Sequence, residues 1–318
     1  TDAGSARGAC AVSAPRQRGV ALLAAILVVA LATVLIASLL DRSQATLART
    51  RNSLRASQGW ELMRGAEGWA GAILLQDASQ APGIDSREDA WAQGMPPIDL
   101  PGVRIFGQLR EQGGCFNLNS LHPGDADDAD AIARFERLLR ALRLDPAIAE
   151  QAADWIDADA VPRSRGAEDS AYLARQPAQR AANRPFVHVS ELRLLPGVDA
   201  DAYAALVSQV CALPNGVPIN LNFASPELWM SLSDSITPSM AEGLARDGRA
   251  NYASIEEVQS ELTRLGLPPM PLVGYGVGSE WFVLEARIVA DGIPFDYSSL
   301  LHRRPGRVDV VARARGRL

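Results

Sequence analysis

The chain reads as an α+β protein: one long N-terminal helix packed on a small antiparallel sheet, with a large, mostly helical domain inserted into the sheet. Three observations carry this reading. Val20–Leu40 is an apolar run without charge, Gly or Pro, and helical spacing continues beyond it. Strand-like alternation appears at 103–110 and again over 280–312. Between these, residues 122–275 are patterned mostly as helices.

Val20–Leu40 covers roughly 30 Å as a helix, the thickness of a hydrocarbon core. Arg7, Arg16 and Arg18 precede it, so the positive-inside tendency keeps residues 1–19 in the cytoplasm and sends the rest across. Three readings of the run stand side by side. A cleavable secretory signal has Ser43-Gln44-Ala45 as its processing site but calls for a shorter run. A plain single-pass anchor fits the length. In the third, Arg18-Gly19 marks the end of a leader, and the apolar helix stays on the mature chain.

From Asp41 to about Gln76 the helix continues, with Leu47, Leu54, Leu62, Ile73 and Leu74 among polar residues and no Pro until Pro82. Gly59, Gly65, Gly68 and Gly71 weaken its second half, each by about 1 kcal/mol relative to Ala. Ala81–Pro101, rich in Pro, Gly and Asp, reads as a loop. Val103–Arg110 alternates as a strand, and Gly113-Gly114 turns into Cys115-Phe-Asn-Leu-Asn-Ser-Leu121. Asp125–Asp130 is an acidic loop placed to cap a helix over Ala131–Leu144, and Asp145-Pro146 opens another. At the far end Glu280–Ala290, Phe295–Arg303 and Val308–Ala312 read as strands, with Asp291-Gly292 as a hairpin turn. The expected organisation is a leader (1–19), a membrane-spanning part of the helix (20–40), a sheet domain made of 41–121 and 276–318, and a helical insert (122–275).

With 318 residues and 47% apolar content the chain has material for two domains. Its formal charge is −6, and its 31 basic residues are all Arg. The acidic balance disfavours nucleic acid as a main partner and suits a divalent cation. Cys10 lies in the leader; Cys115 and Cys211 remain, and spacing leaves open whether they pair. His122, His188 and His302 have no evident catalytic partners, and no GxSxG, HExxH or phosphate loop is present. Enzyme chemistry is not expected.

Asp154, Asp157, Asp159, Glu168 and Asp169 crowd five carboxylates into a short stretch broken by Pro162 and Gly166. Two arrangements relieve their repulsion. Either a cation lies between them, Ca²⁺ being suited to irregular oxygen-rich loops, or they pair with Arg163, Arg165, Arg175 or Arg180. Farther on, Val189–Val198 followed by Asp199–Val210 has a helix–Leu-Pro-Gly-Val–helix form. Ile219-Asn-Leu-Asn-Phe with the segments after it repeats that form. Such helix–hairpin–helix units offer hairpin amides to phosphate, which raises a rival reading: a membrane-anchored DNA-binding protein of a DNA-uptake system. Between Phe186 and Leu265, ten acidic residues face four basic ones, a charge of −6 that repels DNA. The units read as packing modules.

Arg18-Gly19 before an apolar helix that flows into an amphipathic one resembles the signal of type IV pilins and pseudopilins. The fifth residue after Gly19 is Ala24, where most of that group carry Glu. With Asn117-Leu-Asn-Ser-Leu121, the motif Asp154-Trp-Ile-Asp-Ala-Asp159…Gly166-Ala-Glu-Asp169 and Arg180–Pro185, the chain is identified as a member of the minor pseudopilin K family of type II secretion systems. The resemblance implies a pilin-like helix and sheet with a large helical insert. It implies cleavage between Gly19 and Val20 by a prepilin peptidase, with methylation of the new N-terminus. It implies Ca²⁺ held by Asp157, Asp159, Glu168 and Asp169, with Asp154 beside them. It also implies a single-pass inner-membrane protein with a periplasmic C-terminal domain, sitting with minor pseudopilins I and J at the tip of a shaft of major pseudopilin, where it primes assembly and limits length.

Overall fold

In the computed structural model, residues 18–124 and 128–316 are described. The expected leader therefore lies outside them up to residue 17, as do residues 125–127 of the acidic loop. The helix α1 runs without interruption over Arg18–Gln80. The chain divides into two units, one ending at Gln58 and the other starting at Gly59. In the first unit the apolar side chains from Val20 to Leu40 are exposed, and so are Leu47 and Leu54. By length and composition, α1 is the one helix among the described residues able to cross a membrane.

In the second unit the C-terminal part of α1 buries Met63, Ala66, Ala70 and Leu74, a three-to-four-residue spacing that puts them on one face. They lie on a five-stranded sheet made of β1 (Met95–Leu100), β2 (Val103–Glu111), β7 (Trp281–Ala290), β8 (Ile293–Arg304) and β9 (Arg307–Arg315). The order is β1-β2-β7-β8-β9, every neighbour antiparallel. Alternate residues Phe282, Leu284, Ala286 and Ile288 of β7 face the helix, with Ile105, Leu109, Tyr297 and Leu301. Each large buried side chain contributes about 1.5–3 kcal/mol. Two charged anchors fasten the helix. Glu67 accepts from Nε and Nη2 of Arg313 (2.7 and 2.9 Å) and from Ser299. Arg303 donates to Asp77 (3.2 Å), Asp85 (2.5 Å) and the Ser279 carbonyl. Of the glycines in this half of α1, Gly59 has a close neighbour: an added Cβ would stand 2.8 Å from the Tyr297 hydroxyl, while Gly65 and Gly68 face open space.

The turn expected at Asp291-Gly292 joins β7 to β8, both residues at positive φ. The segment read as a loop, Ala81–Pro101, instead contains a 3₁₀ turn over Ala90–Gln93 and the strand β1. Pro96 and Pro97 obscured that strand because proline cannot donate to a ladder. It is tolerated here because β1 is an edge strand, with a register shift between Met95 and Ile98.

Between β2 and β7 lies the helical insert. Its helices are α2 (Ala129–Ala141), α3 (Ala147–Ile156), α4 (Asp169–Leu173), α5 (Ala200–Leu206), α6 (Pro226–Met230), α7 (Pro238–Ala245) and α8 (Ile255–Arg264). Asp128, in the stretch expected to cap a helix, caps α2 through the Ala131 amide. The segment after His188, read as a helix, forms a 3₁₀ turn over Val189–Leu194. Two short parallel ladders close the insert: β3 (Phe116–Asn117) with β4 (Val210–Cys211), and β5 (Ile219–Asn220) with β6 (Tyr275–Gly276). One apolar core runs through it, from Phe116 to Val277, separate from the core beneath α1.

Candidate functional site

The insert repeats one structural device. In the first half, the Asn117 side chain accepts from the Asn119 amide, and Asn119 in turn accepts from the Phe186 N–H (2.7 Å) and donates to the Phe186 and Leu213 carbonyls. In the second half, Asn220 accepts from the Asn222 amide, and Asn222 accepts from the Tyr252 N–H (2.7 Å) and donates to the Tyr252 and Val277 carbonyls. Each clamped aromatic packs near a tryptophan, Trp155 for Phe186 and Trp229 for Tyr252. Each precedes a capped turn in which Glu191 or Glu257 accepts from a backbone amide just upstream. These asparagines are buried and fully engaged, so they are structural. Both Asn-Leu-Asn stretches stand in the sequence, and their repetition is the one local signal of the clamp.

The first half carries an addition. Helix α3 ends with Asp154 and Asp157 in and just after its last turn, both buried, and no basic residue lies in that turn. The negative end of the helix dipole adds to the repulsion between them. The chain then passes through Pro162 and Gly166 and returns Glu168 to the same place at the start of α4. Gly166 is needed there: a Cβ would fall 1.9 Å from Oδ2 of Asp154. Oxygens of Asp154, Asp157 and Glu168 lie within 4.8 Å of one another.

The structure divides the five predicted ligands. Asp154, Asp157 and Glu168 come together. Asp159 is exposed, accepting from the Val161 amide at 2.8 Å, and Asp169 accepts from the Ala181 amide at 3.0 Å and lies 3.6 Å from Arg180. The arginines divide too. Arg163 donates to Asp154 and, at 2.6 Å, to Asp157, while Arg165 is held by Glu136 and Glu150. Among the described residues Glu168 receives nothing: it is 3% exposed and both its oxygens are without a hydrogen-bond partner, as is Oδ1 of Asp157. Burial, and then the charges of Asp157, Asp154, Asp159 and Asp169, push the Glu168 carboxyl up to about 7. Unsatisfied carboxylate oxygens converging in a buried pocket fit an oxygen-seeking divalent cation. A salt-bridge account leaves Glu168 unexplained.

Cys115 and Cys211 form a disulfide, with Cα atoms 5.8 Å apart, packed near Leu213 and Trp281. It joins the residue before β3 to β4. α1 begins at Arg18, so the Gly19-Val20 junction lies in its first turn. The hairpin at Gly197, which in a DNA-binding unit would offer its amide to phosphate, donates that N–H to Gln151 at 2.7 Å.

A family model described as type II secretion system (T2SS), protein K matches residues 114–215. A type II secretion system protein K of Pseudomonas aeruginosa is 36% identical, the match covering 94% of this chain and 93% of the relative. One from Pectobacterium carotovorum is 34% identical over 95% of this chain and 97% of the relative. A chain in the crystal structure of the GspK-GspI-GspJ complex from the type 2 secretion system of enterotoxigenic Escherichia coli superposes with a TM-score of 0.70. That chain is 27% identical, and the match covers 85% of this chain and all of that one.

Proposed function

The chain belongs to the type II secretion system protein K family, and on that premise we propose that it is the minor pseudopilin at the tip of the pseudopilus, where it primes assembly and limits length. Such a tip drives export of folded proteins across the outer membrane, and its work is mechanical rather than catalytic. The observation that carries the reading is the exposed apolar end of α1, which has Ala24 rather than a carboxylate at the fifth place after Gly19. A subunit with nothing above it has no neighbouring N-terminal amine to neutralise. Prepilin peptidase would cut after Gly19 and methylate Val20 on the cytoplasmic side, leaving α1 anchored in the inner membrane and the remainder in the periplasm.

Minor pseudopilins I and J are the proposed partners, above a shaft of major pseudopilin. Leu40, Leu47 and Leu54 recur at seven-residue steps along the exposed helix, a stripe suited to bundling with similar helices. The test is co-expression of the full chain with I and J, followed by extraction, complex isolation and intact mass. A ternary complex whose K subunit begins at methylated Val20 is expected. A chain that begins at Thr46 and joins neither partner would overturn the reading.

Within the insert, Asp154, Asp157 and Glu168 would hold Ca²⁺, with Asp159 and Asp169 as nearby charge. The ion supplies neutralisation, letting buried carboxylates share one pocket and pinning the loop after α3. The DNA-uptake alternative meets the acidic surface and the committed Gly197 amide, and no observation favours it.

A further inference from the structure

Of the groups around the acidic pocket, Arg163 is the one whose position conflicts with the ion. Its Nη1 donates to Oδ1 of Asp154 and to Oδ2 of Asp157, bridging the two carboxylates at the end of α3. Both carboxylates belong to the group that converges with Glu168. A guanidinium and a divalent cation compete for the same pair of carboxylates, because each draws on the same negative charge and the two repel at contact distance. We infer that Arg163 is a built-in competitor for the cation, its guanidinium and the bound ion excluding each other from the Asp154–Asp157 side of the pocket; this rests on the calcium reading above.

Three features make the exchange workable. The Arg163 side chain is 20% exposed, so it has a route to solvent that the buried carboxylates lack. Its backbone N–H donates to Asp154 at 3.2 Å, a contact that holds the loop on Asp154 wherever the side chain goes. The other loop arginine of this stretch, Arg165, is committed to Glu136 and Glu150 and does not compete. Arg163 brings one positive charge to three carboxylates and leaves Glu168 unpartnered; a divalent ion brings two and serves all three. The consequence is a pocket that stays partly neutralised while calcium is scarce and exchanges one cation for another when it is abundant. Intrinsic affinity is lowered in return for a loop that keeps its shape.

The test uses the full chain in detergent micelles, as wild type, Arg163→Gln, Arg163→Lys and Arg249→Gln. The last removes the same charge from an exposed site elsewhere in the insert. Calcium affinity is measured by titration calorimetry, and thermal unfolding is followed with calcium and with chelator. Arg163→Gln should bind calcium more tightly by on the order of tenfold, the scale of one lost charge-assisted pair. It should also unfold at lower temperature than wild type in chelator, so that calcium raises its melting temperature by more. Arg163→Lys should fall between the two, and Arg249→Gln should match wild type. Unchanged or weaker binding by Arg163→Gln, with a normal melt in calcium, would overturn the competition while leaving the calcium site intact. Absence of calcium binding in all four proteins would remove the calcium reading and the competition with it. If Arg163→Gln does not fold in chelator, the Lys variant decides by its affinity alone.

Discussion

In the first half of the insert Asn119 holds Phe186, and in the second Asn222 holds Tyr252, with the same donors and acceptors in the same order. The chain separating clamp from aromatic differs: 67 positions in the first half and 30 in the second. The extra length contains Asp157, Arg163, Gly166, Glu168 and α4. Two modules therefore share one packing solution, and one of them carries an added charged loop, which also lends Ala167 and Tyr172 to the core. The buried acidic pocket that distinguishes the first half lies in that added stretch. The family model covers that half, and the disulfide and acidic pocket both fall within it.

The largest expected effect comes from the disulfide, because it closes the first half alone. In the register of the ladders, Cys211 stands opposite Asn117 as Gly276 stands opposite Asn220, so the second half closes at the same place without a crosslink. With its ends 96 positions apart, the Cys115–Cys211 bond should contribute about 4 kcal/mol. Replacing both by Ser should lower denaturant stability by roughly that amount. Hydrogen exchange should rise at β3 and β4 while β5 and β6 stay protected. Equal loosening of both ladders would mean that the two halves unfold as one.

Next come the clamps. Asn119→Ala and Asn222→Ala each strand a buried N–H and at least two carbonyls, at a cost of about 3 kcal/mol. The two losses should agree within about 1 kcal/mol in equilibrium unfolding, and a wider gap would break the equivalence. A smaller effect separates the halves again. Saturating calcium at a hundredfold excess over its Kd should add about 2.7 kcal/mol. In hydrogen exchange, the protection gained should map to 157–185 and leave 231–251 unaltered. Glu168→Gln should abolish it.

Much of this architecture was legible because periodicity reports burial. The spacing of Phe135, Leu138 and Leu139 and the alternation in β7 each buried the face they marked. The edge strand β1 escaped notice because its two prolines speak for a loop until a neighbouring strand supplies the ladder. In the pocket, the crowding of carboxylates was visible, but not their sorting. Asp154 and Asp157 belong to one helix end, while Glu168 returns only because Gly166 lets the loop pass against Asp154. The charged anchors were beyond reach. Asp77 meets Arg303 and Glu67 meets Arg313 across more than 200 positions, and local pattern holds no record of such pairs.

The smallest effect tests where the halves differ in titratable surroundings. Asn117 makes its contacts to backbone groups, at Asn119, Leu213 and Pro214. Its counterpart Asn220 donates to Ser279, whose hydroxyl donates to Glu111, while Ser279 N–H donates to Asp85 beside Arg303 and Asp77. Burial pushes the Glu111 carboxyl from 4.5 up to about 7, against the pull of Ser279 and the Gly114 and Gly113 amides. The sign follows from proton counts. Between those two values the folded chain holds a proton that the unfolded chain has lost, so stability falls as pH rises through that window and levels off above about 7. Partial solvent access keeps the loss to about 1 kcal/mol. Asp85, pushed up by burial to about 6, adds a slope of the same sign at lower pH. Comparing wild type with Glu111→Gln by denaturant unfolding at pH 5, 6, 7 and 8 subtracts that shared slope. The variant should decline less between pH 5 and 7 and run parallel to wild type above it. Identical profiles would remove Glu111 as the source and leave Asp85 as the titrating group in the second half's network.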